Sequence, residues 1–395
     1  MMSGAGLPSL RRQVAIAHLA GVLVGAGATM LGPILPVLSR TWALSDAAAG
    51  TFLACVYVGG FSGAIASGWL GARLRLLTLL GLGLALFAMG LGGAALMLRM
   101  WMAPSLFVSG LGLGVINPVA NLIVAKASFP SPAAALNLFN FSWAAGALAA
   151  PSAFAFALRW QPPAYVLLEF GILAAAATCL AAMANSAAAN ARLERGAAAG
   201  GSEMRSGNFG VVAITGILLF LYVGVETSVS IWLPTGAARW VTAGASQAAA
   251  AQTAFWASLM VGRLLAPVWL QYLAPRALIF TGLLCGALGM GGLLAAPGYR
   301  SLVAAAILAG LGLAPVNPTI VAAFTTKLGL SAARWLGPVF ACAGLGGAVI
   351  PWLVGAISSQ LNGLRRGFAA PLIAVGAMVC LELMMGRRHR RHPQD

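Results

Sequence analysis

The chain has 395 residues, of which 61% are hydrophobic and only 8% charged, and its mean hydropathy is +0.93. No soluble core hides that much apolar surface, so the composition excludes a water-soluble globular protein and requires a lipid bilayer as partner. A net charge of +16 would suggest nucleic acid in a soluble protein, but Lys and Arg here sit at the ends of apolar runs, so nucleic acid is not an expected partner.

Apolar runs of about 20 residues, the length that crosses a hydrocarbon core about 30 Å thick, predict twelve membrane-spanning helices. In the first half they cover residues 13–38, 47–71, 75–98, 101–127, 134–158 and 163–187. The first run is of span length and continues into the polytopic body, so a retained helix is expected rather than a cleaved leader. A polar connection over residues 188–208 follows, with Arg192, Glu194, Arg195, Gly200, Gly201, Ser202 and Glu203, the composition of a flexible tether. The second half predicts spans at 209–238, 246–273, 276–296, 300–328, 333–358 and 366–386.

The expected organisation is therefore a six-helix bundle over residues 1–187, a cytoplasmic linker over 188–208, and a second six-helix bundle with a basic tail over 209–395. With both termini cytoplasmic, the inner segments hold Arg11, Arg12, Arg73, Arg75, Lys126, Arg192, Arg195, Arg205, Arg276, Lys327, Arg334 and the tail arginines. The outer loops hold Arg40, Arg99, Arg159, Arg239, Arg300, Arg365 and Arg366, about half as many, which is the positive-inside pattern. The five cysteines are single and fall within predicted spans, so they read as small buried apolar residues rather than as disulfides or a metal site.

The two halves share a pattern. Gly110-Leu111-Gly112-Leu113 followed by Asn117-Pro118 returns as Gly310-Leu311-Gly312-Leu313 followed by Asn317-Pro318, and the same offset pairs Gly146 with Gly346 and Pro151 with Pro351. Weaker matches join Val58-Gly59 to Val261-Gly262, Val24-Gly25 to Val223-Gly224 and Leu35-Pro36 to Leu233-Pro234. Duplicated halves with helix-interrupting residues at matching places are the arrangement in which a transporter rocks around a central site.

On these features the whole chain resembles the major facilitator superfamily. Leu221-Tyr222-Val223-Gly224-Val225-Glu226 with Trp232-Leu233-Pro234, and Phe255-Trp256 with Val261-Gly262-Arg263-Leu264-Leu265, are similar to the seventh and eighth helices of its fucose and glucose transporter group. Gly310 to Thr319 is similar to that group's tenth helix. The resemblance implies an all-α membrane protein of twelve helices in two pseudo-symmetric six-helix bundles, the major facilitator fold, working as a monomer in a bacterial cytoplasmic membrane. One departure stands out: where many members carry an acid after the second span, this chain has Gly68 followed by Ala72, Arg73 and Arg75.

Of the seven acidic residues, Glu226 alone lies near the middle of a predicted helix. A carboxylate there costs roughly 2.5 to 3.5 kcal/mol on insertion scales, so a coupling or ligand role is expected, with a structural ion pair as the alternative. Arg263 is its natural partner, offset in depth by roughly 6 Å at 1.5 Å per residue; alternatively it snorkels to the surface. Proline frees a backbone carbonyl one turn earlier, so Asn117 and Asn317 either mend their own helices or turn to a cavity. Asn121, Asn137, Asn140 and Trp143, with Gln252, Trp256 and Thr319, complete a candidate substrate-binding set. Amides pair with hydroxyls and indole rings cover apolar sugar faces. Trp101, Trp160 and Trp240 are expected at the membrane interface instead.

The expected function is secondary active transport by alternating access. The substrate would be a monosaccharide or similar small neutral polar solute, taken up with H+ or Na+ through Glu226. Export of a drug or apolar metabolite by the same fold is the alternative. A receptor or an embedded enzyme finds no matching feature. No metal, cofactor or ATP-binding loop is expected: the Gly-rich pieces lie in apolar spans with no strand before them, where close helix packing accounts for them.

Overall fold

The computed structural model describes residues 6–71, 73–127, 132–184, 209–328 and 332–391, so the linker predicted at 188–208 lies outside the described residues. Those residues form fifteen helices and no strands. The first seven are α1 (Gly6–Thr29), α2 (Leu31–Thr41), α3 (Asp46–Gly71), α4 (Leu76–Ala95), α5 (Arg99–Ala127), α6 (Pro132–Ala157) and α7 (Pro163–Ala184). After the linker come α8 (Phe209–Trp240), α9 (Ala245–Trp269), α10 (Pro275–Ala295), α11 (Tyr299–Leu313), α12 (Val316–Leu328), α13 (Ala332–Gln360), α14 (Leu364–Gly367) and α15 (Ala369–Arg391). Ten helical stretches among the described residues are long and apolar enough to cross a membrane. α6 and α9 take the fifth and eighth predicted places at span length and fall outside that ten; α9 carries Gln247, Gln252, Ser258 and Arg263 among its apolar residues.

Chain contacts divide the molecule into two units: Met1–Ile34 with Cys55–Ser202, and Leu35–Ala54 with Glu203–Asp395. The second unit therefore includes residues that the sequence assigns to the first two spans. Within the first unit α1 packs on α6, and α4 packs on both α5 and α7. Within the second, α8 packs on α13, and α11 packs on both α9 and α10. The α1–α6 and α8–α13 pairs occupy equivalent places in the duplicated sequence, and so do α4–α5 and α10–α11.

The repeated glycines explain these crossings. A Cβ on Gly25 or Gly146 would collide with backbone of the facing helix, Trp143 O in the one case and Val22 O in the other. The equivalent pair in the second unit behaves alike: a Cβ on Gly346 would strike Phe220 O, and one on Gly224 would strike Ile350. With side chains absent, the backbones approach until their dispersion contacts are continuous, which is how small residues drive helix association where no hydrophobic effect operates.

Three predicted spans are interrupted: the last at Phe368, between α14 and α15, and the other two beside a proline. The run predicted at 300–328 is two helices, α11 and α12, parted at Ala314 and Pro315. Its counterpart α5 continues unbroken through Pro118, because the first half has Val115 where the second has Pro315. A second proline three residues before Pro318 removes another backbone donor, and the helix cannot absorb both losses. The first span parts at Met30, just before Pro33, where Thr29 Oγ1 lies 3.3 Å from each of Gly25 O, Ala26 O and Ala147 O and its single proton goes to one of the three.

The cysteines differ from expectation in one respect. None carries a disulfide, but none is buried either: Cys55, Cys285 and Cys342 are half-buried and Cys179 and Cys380 exposed. Small residues on the outer face of a lipid-facing helix need no protein neighbour, so apolar character alone does not place them inside. Trp101 and Trp160 are exposed, and Trp240 packs edge-on against Phe368 at 5.2 Å.

Candidate functional site

α8 is buried on all sides from Gly224 to Ala237, which marks it as the central helix of the second unit. Three of its polar residues, Tyr222, Glu226 and Ser230, recur every fourth position and so stand in one row. A second row on α9, Gln252, Trp256 and Arg263, faces them. Arg263 Nη2 lies 2.9 Å from Glu226 Oε1, with side-chain exposures of 31% and 9%. The carboxylate thus has the partner that its burial demands, and the arginine reaches it instead of the surface. Arg263 Nε is buried without a hydrogen-bond partner.

Tyr222 and Ser230 close the two ends of this seam. Tyr222 is fully buried, and its hydroxyl donates to Leu313 O at 3.0 Å. Leu313 is the last residue of α11, so Tyr222 ties α8 to the break that Pro315 creates. One turn beyond Glu226, Ser230 Oγ accepts from Trp256 Nε1 at 2.8 Å and from Gln252 Nε2 at 3.2 Å. Trp232 Nε1 donates to Pro351 O at 3.0 Å, tying α8 to the proline of α13.

The rest of the predicted set is dispersed. Thr319 is buried in the first turn of α12, with Asn317 half-buried beside it. In the first unit, Asn117 is exposed on α5, and Asn121 Nδ2 turns back to Asn117 O at 2.9 Å and Asn117 Oδ1 at 3.3 Å. Asn140 is exposed on α6, Trp143 is half-buried against α1, and the side chain of Asn137 lies outside the described residues.

Sequence reading missed three residues that structure brings forward. Tyr222 and Ser230 were visible only as a four-residue spacing on either side of Glu226. Asp46 stands just before the second predicted span and received no role from sequence, yet within the second unit it receives Arg239 in bidentate fashion, Nη1 to Oδ2 and Nη2 to Oδ1, both at 2.7 Å. Ser358 also donates to Asp46, and the Ala47 amide donates to Ser359 Oγ at 2.8 Å. This clamp lines a cavity of about 700 Å³ with Trp240, Arg365 and Arg366. At another end of the unit Arg276 pairs with the buried Glu382, Nε to Oε2 at 3.6 Å.

The profile of the Major Facilitator Superfamily matches residues 17–325. No curated protein sequence matches the chain significantly. Among solved structures, a D-xylose-proton symporter superposes with a TM-score of 0.76 at 16% identity, covering 95% of this chain and 96% of that one. The nucleoside transporter NupG, as its D323A mutant, gives 0.75 at 14% identity, covering 95% and 98%. A bacterial homologue of the human lysosomal transporter Spinster gives 0.76 at 14% identity and covers 98% of both chains. At such identities these likenesses establish fold, and the profile match establishes descent. The chain belongs to the Major Facilitator Superfamily, a superfamily of membrane transporters and not of enzymes.

Proposed function

We propose that this transporter takes up a small neutral polar solute, a monosaccharide or a molecule of similar hydroxyl content, together with a proton carried by Glu226. The observation that carries the reading is the Glu226–Arg263 pair at 2.9 Å inside a membrane helix, flanked by Tyr222 on one side and by Ser230, Gln252 and Trp256 on the other. Such a row offers charge, amide, hydroxyl and indole groups in sequence, which is the chemistry a polyol requires.

Coupling follows from the pair itself. Protonation of Glu226 removes the partner of a guanidinium held in low dielectric, where an unpaired charge is expensive. Arg263 then seeks other oxygens, and solute hydroxyls supply them, so proton and solute favour the same state. A sodium ion would meet the guanidinium next to the only carboxylate of the seam, which favours H+ over Na+. Motif similarity to the fucose and glucose group supports a sugar-like cargo, and the D-xylose-proton symporter among the structural neighbours is consistent with it. Within the second unit, Asn317 and Thr319 at the start of α12 are the further contacts assigned to the solute.

The test is uptake into proteoliposomes with an imposed proton gradient. Glu226→Gln is expected to abolish accumulation against a gradient while exchange of solute across the membrane persists. Undiminished accumulation by this variant would reject the coupling role.

A further inference from the structure

One titratable side chain inside the first unit is used by none of this. His18 lies two turns into α1 from Arg11, and its Nδ1 is 2.7 Å from Ser142 Oγ on α6. Ser142 Oγ is also 3.2 Å from Leu138 O, one turn back on its own helix. A hydroxyl has a single proton to donate. Given to Leu138 O, it leaves the Ser142 oxygen to accept from Nδ1–H, so both contacts are satisfied only if Nδ1 carries hydrogen. The neutral imidazole is then held in its Nδ1–H tautomer, with the lone pair on Nε2.

That second nitrogen is open. Among the described residues Nε2 makes no hydrogen bond, and it is not one of the buried polar atoms left without a partner, so it keeps some accessible surface on a half-buried side chain. An unpaired polar nitrogen turned to hydrocarbon is costly, and intramembrane ionisable groups turn to the bundle interior or to water. On its own helix the charges are Arg11 and Arg12, about two turns toward the N-terminus. α6 has no charged residue from Pro132 to Ala157, and α5 carries Arg99 and Lys126 only at its two ends. On α7 the titratable groups Tyr165, Glu169 and Cys179 are all exposed, with Glu169 held by Gln161 at 2.8 Å.

We infer that His18 is a second proton-binding site, located in the first unit, in which Ser142 fixes the imidazole through Nδ1 and the proton is taken up at Nε2. Uptake there places a cation among apolar helices and biases the unit toward arrangements that hydrate Nε2. The site is independent of Glu226 and of the identity of the solute.

The experiment is nitrogen-15 NMR of histidine-labelled protein, purified without a polyhistidine tag and carrying His389→Ala and His392→Ala, which leaves His18 as the one imidazole. At alkaline pH the Nδ1–H tautomer is expected, and acidification across the imidazole range should protonate Nε2. Ser142→Ala should shift the tautomer toward Nε2–H and move the midpoint. An Nε2–H tautomer in the parent protein, the absence of titration, or a spectrum indifferent to Ser142→Ala would each overturn the proposal. Carbethoxylation of the wild-type protein by diethyl pyrocarbonate gives a second reading: His18 should be modified faster as pH rises, and a His18 that reacts only after denaturation would refute an open Nε2.

Discussion

Replacing either member of the Glu226–Arg263 pair should cost far more stability than replacing both. At 2.9 Å and an effective dielectric of about 20, two unit charges attract by roughly 6 kcal/mol. Arg263 is 31% exposed, so water recovers part of that and the attraction is an upper bound. Removing one partner of a buried pair typically costs about 3 to 5 kcal/mol, because the survivor stays buried and uncompensated. Glu226→Met and Arg263→Met should each fall in that range, while the double variant should return to within about 1 kcal/mol of the parent, since an apolar pair of similar volume replaces an ion pair at little cost. Unfolding in mixed detergent and SDS micelles, followed by tryptophan fluorescence, measures all four corners of the cycle. Additive costs would mean that the two charges do not interact, and the seam built around them would have to be abandoned.

Gly346→Leu should prevent α8 and α13 from closing, since even a Cβ collides with Phe220 O; a protein that still purifies with an unchanged melting curve would show the crossing to be adaptable. Pro315→Val restores the residue type found at Val115 and should join α11 to α12. Slower amide hydrogen exchange over residues 313–319 is the expected signature, and unchanged exchange would place the cause of the break elsewhere. Asp46→Asn should lower stability by only about 1 kcal/mol, as befits an ion pair whose arginine is 41% exposed. Arg239→Gln should cost about the same and the double variant no more, which separates a charge clamp from two unrelated contacts.

The course of the chain was legible wherever one physical rule dominated. Span-length apolar runs located the helices because a helix satisfies its backbone groups within one segment and needs about 20 apolar residues to cross a bilayer. The Gly and Pro pattern that joins Gly146 to Gly346 announced the duplication, and the structure shows its reason in the collisions a Cβ would cause. Glu226 and Arg263 were found by rarity, because a charge within a span demands a partner. Tyr222, Ser230 and His18 were harder, since an isolated hydroxyl or imidazole costs too little to stand out and means something only with its neighbour in place. Asp46 and Arg239 are far apart in sequence and each resembles an ordinary loop charge, so only tertiary structure could pair them. The interruption at Pro315 lay in plain view beside Pro318, but the mirrored Asn-Pro motifs drew attention to what the halves share rather than to where they differ.

The measurement that bears most directly on Glu226 as the coupling group is proton movement driven by solute alone. Proteoliposomes in weakly buffered medium are given D-xylose, and then other monosaccharides and polyols in turn, while a pH electrode records the outside. Transient alkalinisation with the transported solute in the parent protein, absent in Glu226→Gln, is the predicted result. Solute entry without proton movement, or identical alkalinisation in the variant, would contradict it.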